Sequence, residues 1–88
     1  MSKMEYGVAY GKGKYKDGFK TIHSARKHAY NIVGKNDGVG IYKRATYSGD
    51  EYYMGDVNRI GSSYFYREWP SEKRWVLNKD GSLGKRIR

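Results

Sequence analysis

The sequence predicts an α+β domain, a small curled antiparallel sheet in the order β-α-β-β-β-β with one helix packed on a face. Three observations lead there. Short alternating runs bounded by Gly, Asp-Gly and Pro recur along most of the chain and read as strands. Only Thr21 to Val33 carries apolar residues at helical spacing. Aliphatic side chains are few beside ten Tyr, two Phe and two Trp, and rings with an apolar body and a polar tip suit the margins of a thin sheet-and-helix core. With 88 residues, a single domain over 1–88 is expected, since two would each enclose too little interior to exclude water.

The elements follow in order. Glu5 to Tyr10 alternates large and small residues, which puts Tyr6, Val8 and Tyr10 on one face of a strand and Gly7 and Ala9 on the other. Gly11 to Gly18 has no apolar period and ends in an Asp-Gly turn signal, so it reads as a mobile cationic loop. In the helix, Thr21 is the N-cap and Gly34 the left-handed C-terminal residue, with Lys35 near the negative end of the dipole. Ile22, Ala25, Ala29, Ile32 and Val33 form its apolar stripe. After an Asn36-Asp37-Gly38 turn come strands at Val39 to Tyr47 and Glu51 to Val57, joined at Ser48-Gly49-Asp50. Ser62 to Trp69 is the next strand, stopped by Pro70, which lacks an N–H. Arg74 to Leu77 completes that order, and Ser82 to Ile87 is a further candidate edge strand, to pair back across Asn78 to Gly81. Tyr64 and Tyr66 share one face of their strand and Phe65 takes the other, and alternation alone leaves open which set is core.

Charge is the strongest compositional fact. Eighteen Lys and Arg against nine Asp and Glu give +9, unevenly placed: +3 over 1–20, +4 over 21–44, −3 over 45–72 and +5 over 73–88. Such a field attracts polyanions. The absence of cysteine suits a reduced compartment, and with no hydrophobic signal core or membrane-length apolar run a cytoplasmic location without membrane insertion is expected.

Chemistry-bearing motifs are sparse. Neither Gly11-Lys12-Gly13 nor Gly38-Val39-Gly40 extends to a nucleotide-binding fingerprint. No cysteine is present, and His23 and His28 lie about 140° apart around the helix, so no metal site or cofactor is expected. Gly40-Ile41-Tyr42, ten intervening residues and Tyr53-Met54-Gly55 resemble the paired signature of the GIY-YIG nuclease family, whose two motifs lie on neighbouring strands of a hairpin. The resemblance implies that Tyr42 and Tyr53 activate a water, that an arginine such as Arg59 stabilises the transition state, and that a glutamate holds a divalent metal. The match covers sixteen residues. The 33 residues after Gly55 read as strands, where that family has helices carrying its arginine and glutamate, and Glu68 or Glu72 fits the metal role only by force.

The sequence therefore favours binding over catalysis. The leading expectation is a weakly sequence-specific nucleic-acid-binding module, for DNA or RNA alike. Its contacts would be the loop lysines Lys12, Lys14 and Lys16, the helix flank His23, Arg26, Lys27 and Tyr30, the pair Lys43 and Arg44, and the C-terminal Lys85, Arg86 and Arg88. The alternative is a small phage-type or mobile-element-type accessory protein that docks on a host protein, with an acidic protein as partner and tyrosine and arginine as the contact residues.

Overall fold

The computed structural model describes residues 4–11, 13–34 and 37–88. Strands β1 (Met4–Tyr10) and β2 (Lys14–Phe19) precede helix α1 (Ile22–Ile32). Five strands follow: β3 (Gly38–Ala45), β4 (Glu51–Ile60), β5 (Ser63–Glu68), β6 (Arg74–Leu77) and β7 (Leu83–Arg86). All seven join one sheet in the order β2-β1-β3-β4-β5-β6-β7, and every neighbouring pair is antiparallel. The α+β class stands, with more strands than the sequence pattern shows.

The chief correction concerns Gly11 to Gly18. Its second half is β2, paired with β1 from Tyr10↔Lys14 to Tyr6↔Phe19. An edge strand exposed along nearly its whole length needs no apolar alternation, because backbone hydrogen bonds to a single neighbour hold it, and its lysines guard the open edge. Lys12 lies outside the described residues, as do Lys35 and Asn36. Ser82 to Ile87 does pair back, as β7. The helix ends differently from expectation: Val33 turns extended at φ −66° and ψ 122°, and Gly34 is not among the glycines with positive φ. At Gly34 the need is space instead, since a Cβ there would sit 2.6 Å from an Asp37 carboxylate oxygen.

The helix lies across one face of the sheet. Thr21 caps it, its hydroxyl accepting from the Ser24 N–H at 3.1 Å. Ala25 and Ala29 are fully buried, and their small size lets α1 sit close over Val8, Val39, Ile41, Val57 and Tyr66. Tyr64 and Tyr66 take the helix side: Tyr66 is 2% exposed and Tyr64 stacks on Tyr30 at 3.8 Å between ring centroids. Tyrosine supplies core volume that the missing aliphatics do not.

Two features shape this sheet. Between Ile41/Tyr42 and Gly55/Tyr53 the register of β3 and β4 shifts by one residue, with Met54 extra, a β-bulge. Residues three apart on a regular strand face opposite ways. Across the bulge they do not, and the Tyr53 hydroxyl donates to Asp56 at 2.6 Å. The second feature is curl, which carries the turn after β6 onto the helix. Arg26 Nε donates to the Gly81 carbonyl at 2.9 Å, with its guanidinium carbon 5.3 Å from the Tyr66 ring centre. Gly81 has φ +93°, and a Cβ there would lie 2.5 Å from the His23 carbonyl oxygen and 2.8 Å from the Lys27 nitrogen.

Gly81→Ala should therefore cost roughly 2–4 kcal/mol, combining left-handed strain with overpacking against helix backbone. Gly49→Ala, at φ +76° with nothing within 4 Å, should cost only the strain, about 1–2 kcal/mol. Urea denaturation of the two variants measures the difference.

Candidate nucleic-acid interface

Directly opposed residues in an antiparallel pair share a face of the sheet, so register assigns each paired strand charge to one side or the other. Lys16 opposes Val8, Lys14 opposes Tyr10, Lys43 opposes Tyr6, and Arg86 opposes Trp75. Val8 is core, and the three rings pack against it, so these four cations are on the helix side. The acidic residues go largely the other way. Glu5 and Glu51 oppose Arg44 on the face that the helix leaves open, and Asp17 also reaches Arg44.

On that open face two arginines bind four carboxylates. Arg44 Nη2 lies 3.0 Å from Glu5 and 2.9 Å from Asp17. Arg67 Nη2 lies 2.8 Å from Asp56, and its Nη1 is 3.8 Å from Glu72. Asp56 also receives the Tyr53 hydroxyl and, on its other oxygen, the Asn58 amide at 2.8 Å. Partly exposed pairs of this kind add little stability. Their larger effect is to hold negative charge on one side.

The helix side keeps few acids. None occupies the first turn of α1, and none occurs anywhere from Ile22 to Ile32. Asp80 lies in the turn seated on the helix, and hydrogen bonds from Ser82 hold its carboxyl below its ordinary value. Glu68 opposes Gly55 and accepts from Ser71 at 2.7 Å.

The sequence-expected residues separate accordingly. Lys14, Lys16, His23 and Lys27 are exposed, and Lys43 is half-buried. Arg26 is inside the fold rather than on a free flank: burial lowers its pKa, and its donors and ring contact are those to Gly81 and Tyr66. Tyr30 is engaged with Tyr64. Arg44 is on the opposite face in its ion pairs. Lys85, Arg86 and Arg88 are exposed on or beside β7, with Arg86 Nε donating to the Arg88 carbonyl at 3.1 Å. His28 rests on Phe19 at 5.2 Å; burial, then Lys16, depresses its pKa, so it adds no charge at neutral pH.

Curl matters because β2 and β7 are the two edges of the sheet, yet both regions meet α1. Phe19 of β2 touches the helix through His28, and Gly81 before β7 touches it through His23, Arg26 and Lys27. The helix spans what the sheet separates.

Sequence reasoning singled out Tyr42 and Tyr53 but missed the larger group they belong to on the open face. Tyr15, Tyr42, Tyr53 and Trp69 form a row, with ring centroids 6.4, 5.3 and 6.1 Å apart. Beside it, Asn58, Phe65, Arg67 and Arg74 line a hollow of about 400 Å³. One signal was present: a hairpin centred on Pro70-Ser71 sets Arg67 opposite Arg74, which counting outward from the turn would have found.

Tyr42 and Tyr53 do face each other across β3 and β4, as the nuclease resemblance implies. Tyr53, however, is a donor to Asp56, and burial together with that bond pushes its pKa to about 12, so it keeps its proton at neutral pH. Arg59 sits over the Tyr64 ring, 5.3 Å from its centre, away from this pair. Among the described residues no group of three His, Asp or Glu could hold a metal ion, and no helix is long and apolar enough to cross a membrane. Comparison with protein-family models, with curated proteins and with solved structures finds no match.

Tyr53 and Tyr66 both have pKa values raised from 10.0 to about 12, by burial above all. A folded pKa above the unfolded one favours the protonated native state, so this stabilisation is complete below about pH 10 and is lost as pH rises through about 12. Phenolate absorbance and ring NMR shifts should show these two rings titrating late. Asp56→Asn should lower the Tyr53 value and move Tyr66 less.

Proposed function

We propose that the chain is a nucleic-acid-binding module that meets the phosphate backbone with the helix side of its sheet. The observation that carries this reading is the sorting of charge by strand register. Lys14, Lys16, Lys43 and Arg86 share the face on which α1 presents His23 and Lys27, while Glu5, Asp17, Glu51 and Asp56 are turned to the other. Cations spread evenly with their acids would give a soluble surface and little else; cations gathered on one side attract a polyanion.

The contacts are to phosphate rather than to bases. Most rings on the helix side are used by the core, as Tyr30 and Tyr64 are by each other, with Tyr52 opposite Lys43 the exposed exception, and flexible lysines neutralise phosphates without reading sequence. Weak sequence preference follows, and DNA and RNA should both bind.

A second reading rests on the tip of the β3–β4 hairpin, where Tyr47 is 72% and Tyr52 53% exposed. Tyrosine is a residue type enriched at protein-interface hot spots, so this tip suits an accessory protein docking on a host protein. Recovery of one discrete protein after nuclease treatment, lost in a Tyr47→Ala/Tyr52→Ala variant, would favour it.

Fluorescence anisotropy with unrelated DNA and RNA oligonucleotides tests the main reading. With about four phosphates neutralised, the slope of log K against log salt should be about −3 to −4. Lys16→Glu/Lys27→Glu should weaken binding at least about tenfold at low salt and flatten the slope by about 1–2. Absence of binding at low salt, or a double variant that binds as well as the parent, would refute it.

A further inference from the structure

The open face holds two like charges in direct opposition. Arg67 of β5 and Arg74 of β6 are cross-strand partners, an arrangement that costs stability unless something neutralises it. Asp56 answers for Arg67 alone, and no ion pair reaches Arg74 among the described residues. The backbone adds a third cation. The Arg74 N–H donates to the Arg88 carbonyl at 3.0 Å and the Ile87 N–H to the Arg74 carbonyl at 2.9 Å, so Arg88 lines a hollow of about 190 Å³ with Arg67, Arg74 and Glu72.

Donors remain free there. Arg67 Nε is buried with no partner, its Nη1 has only the 3.8 Å contact to Glu72, and the Arg74 guanidinium has no hydrogen bond among the described residues. Asp56 has both oxygens occupied, by Tyr53, Arg67 and Asn58, which makes it a support and not a ligand group. Arg67 and Arg74 also line the larger hollow of about 400 Å³, within the roughly 300–1,000 Å³ of small-molecule sites. Its remaining lining is mixed: Phe65 and Ile60 are apolar, Asp37, Asp56 and Arg59 are charged, and Asn58, whose amide nitrogen is given to Asp56, keeps its carbonyl oxygen as an acceptor.

We propose that Arg67, Arg74 and Arg88 bind a phosphate monoester carried on a planar ring, the chemistry of a nucleoside monophosphate, with the ring over Phe65 beside Asn58. A phosphate dianion bridges the two opposed guanidiniums by paired charge-assisted hydrogen bonds and relieves the repulsion that Asp56 only half answers. The ring fills the apolar end of the hollow, where the Asn58 oxygen accepts from an exocyclic amine. The same chemistry is offered by a free nucleotide and by the phosphorylated end of a strand. This site is on the opposite face from the helix-side cations and does not rest on the nucleic-acid reading.

Calorimetric titration of the whole chain with adenosine monophosphate, adenosine and inorganic phosphate tests it. The monophosphate should bind more tightly than either fragment. Arg74→Gln should weaken it at least about tenfold, and Arg88→Gln, beyond the last strand, should weaken it in the same direction with the hairpins undisturbed. Lys16→Glu/Lys27→Glu should leave it unchanged, which separates failure of this site from failure of the helix-side surface. A 5′-phosphorylated oligonucleotide losing affinity in Arg74→Gln while its 5′-hydroxyl twin does not would assign the site to strand ends; loss confined to the free nucleotide would assign it to the small molecule. No heat with adenosine monophosphate up to about 10 mM, equal binding by a folded Arg74→Gln, or binding no tighter than phosphate alone would overturn the proposal.

Discussion

Strand alternation is the constraint on which the rest depends, because it decides which side of a thin sheet each charge occupies. Arg44 and Arg67 complete the sorting by binding Glu5, Asp17, Asp56 and Glu72 on the face without the helix. Ion pairs so close to water contribute little to stability. Both arginines also leave a buried Nε without a partner, a cost in the same currency. The fold is held elsewhere, by Val8, Val39, Ile41, Val57 and Tyr66 under Ala25 and Ala29, each large side chain worth about 1.5–3 kcal/mol of burial. The core supplies the stability, and the arginines pair the acids on the side that alternation gives them.

Two local devices tie that core to the surface. The bulge at Met54 places Tyr53 and Asp56 on one face although they are three residues apart. Gly55 makes room at this point, since a Cβ there would run into the Arg67 carbonyl and the Tyr66 ring. Curl brings Gly81 onto the helix, where Arg26 and Tyr66 hold it. Without that closure, β2 and the β6–β7 turn would lie at unconnected ends of a seven-stranded sheet. With it, both meet the helix that carries His23 and Lys27.

The fold class, the helix with its N-cap and apolar stripe, and the strands from Val39 onward were legible because apolar periodicity and turn residues mark half-buried elements. β2 was not, since a strand exposed on both sides carries no period. The helix flank was only partly legible: angular position put Arg26 beside Lys27, but whether a flank residue meets water or a distant turn depends on curl, which no local pattern encodes. The placement of Lys14, Lys16 and Lys43 on the helix side follows from register, and register across β1 depends on long-range pairing. The Arg67–Arg74 pair follows from symmetry about Pro70-Ser71, but the net charge of a segment does not tell which face each of its charges takes.

Amide chemical-shift mapping of the ¹⁵N-labelled chain, titrated with an oligonucleotide lacking terminal phosphates, tests the central claim most directly. The account predicts shifts concentrated in α1 around His23 and Lys27, in β2 around Lys14 and Lys16, and at Lys43 and Arg86. Shifts centred on Tyr42, Tyr53 and Arg44, with the helix and β2 unmoved, would contradict it.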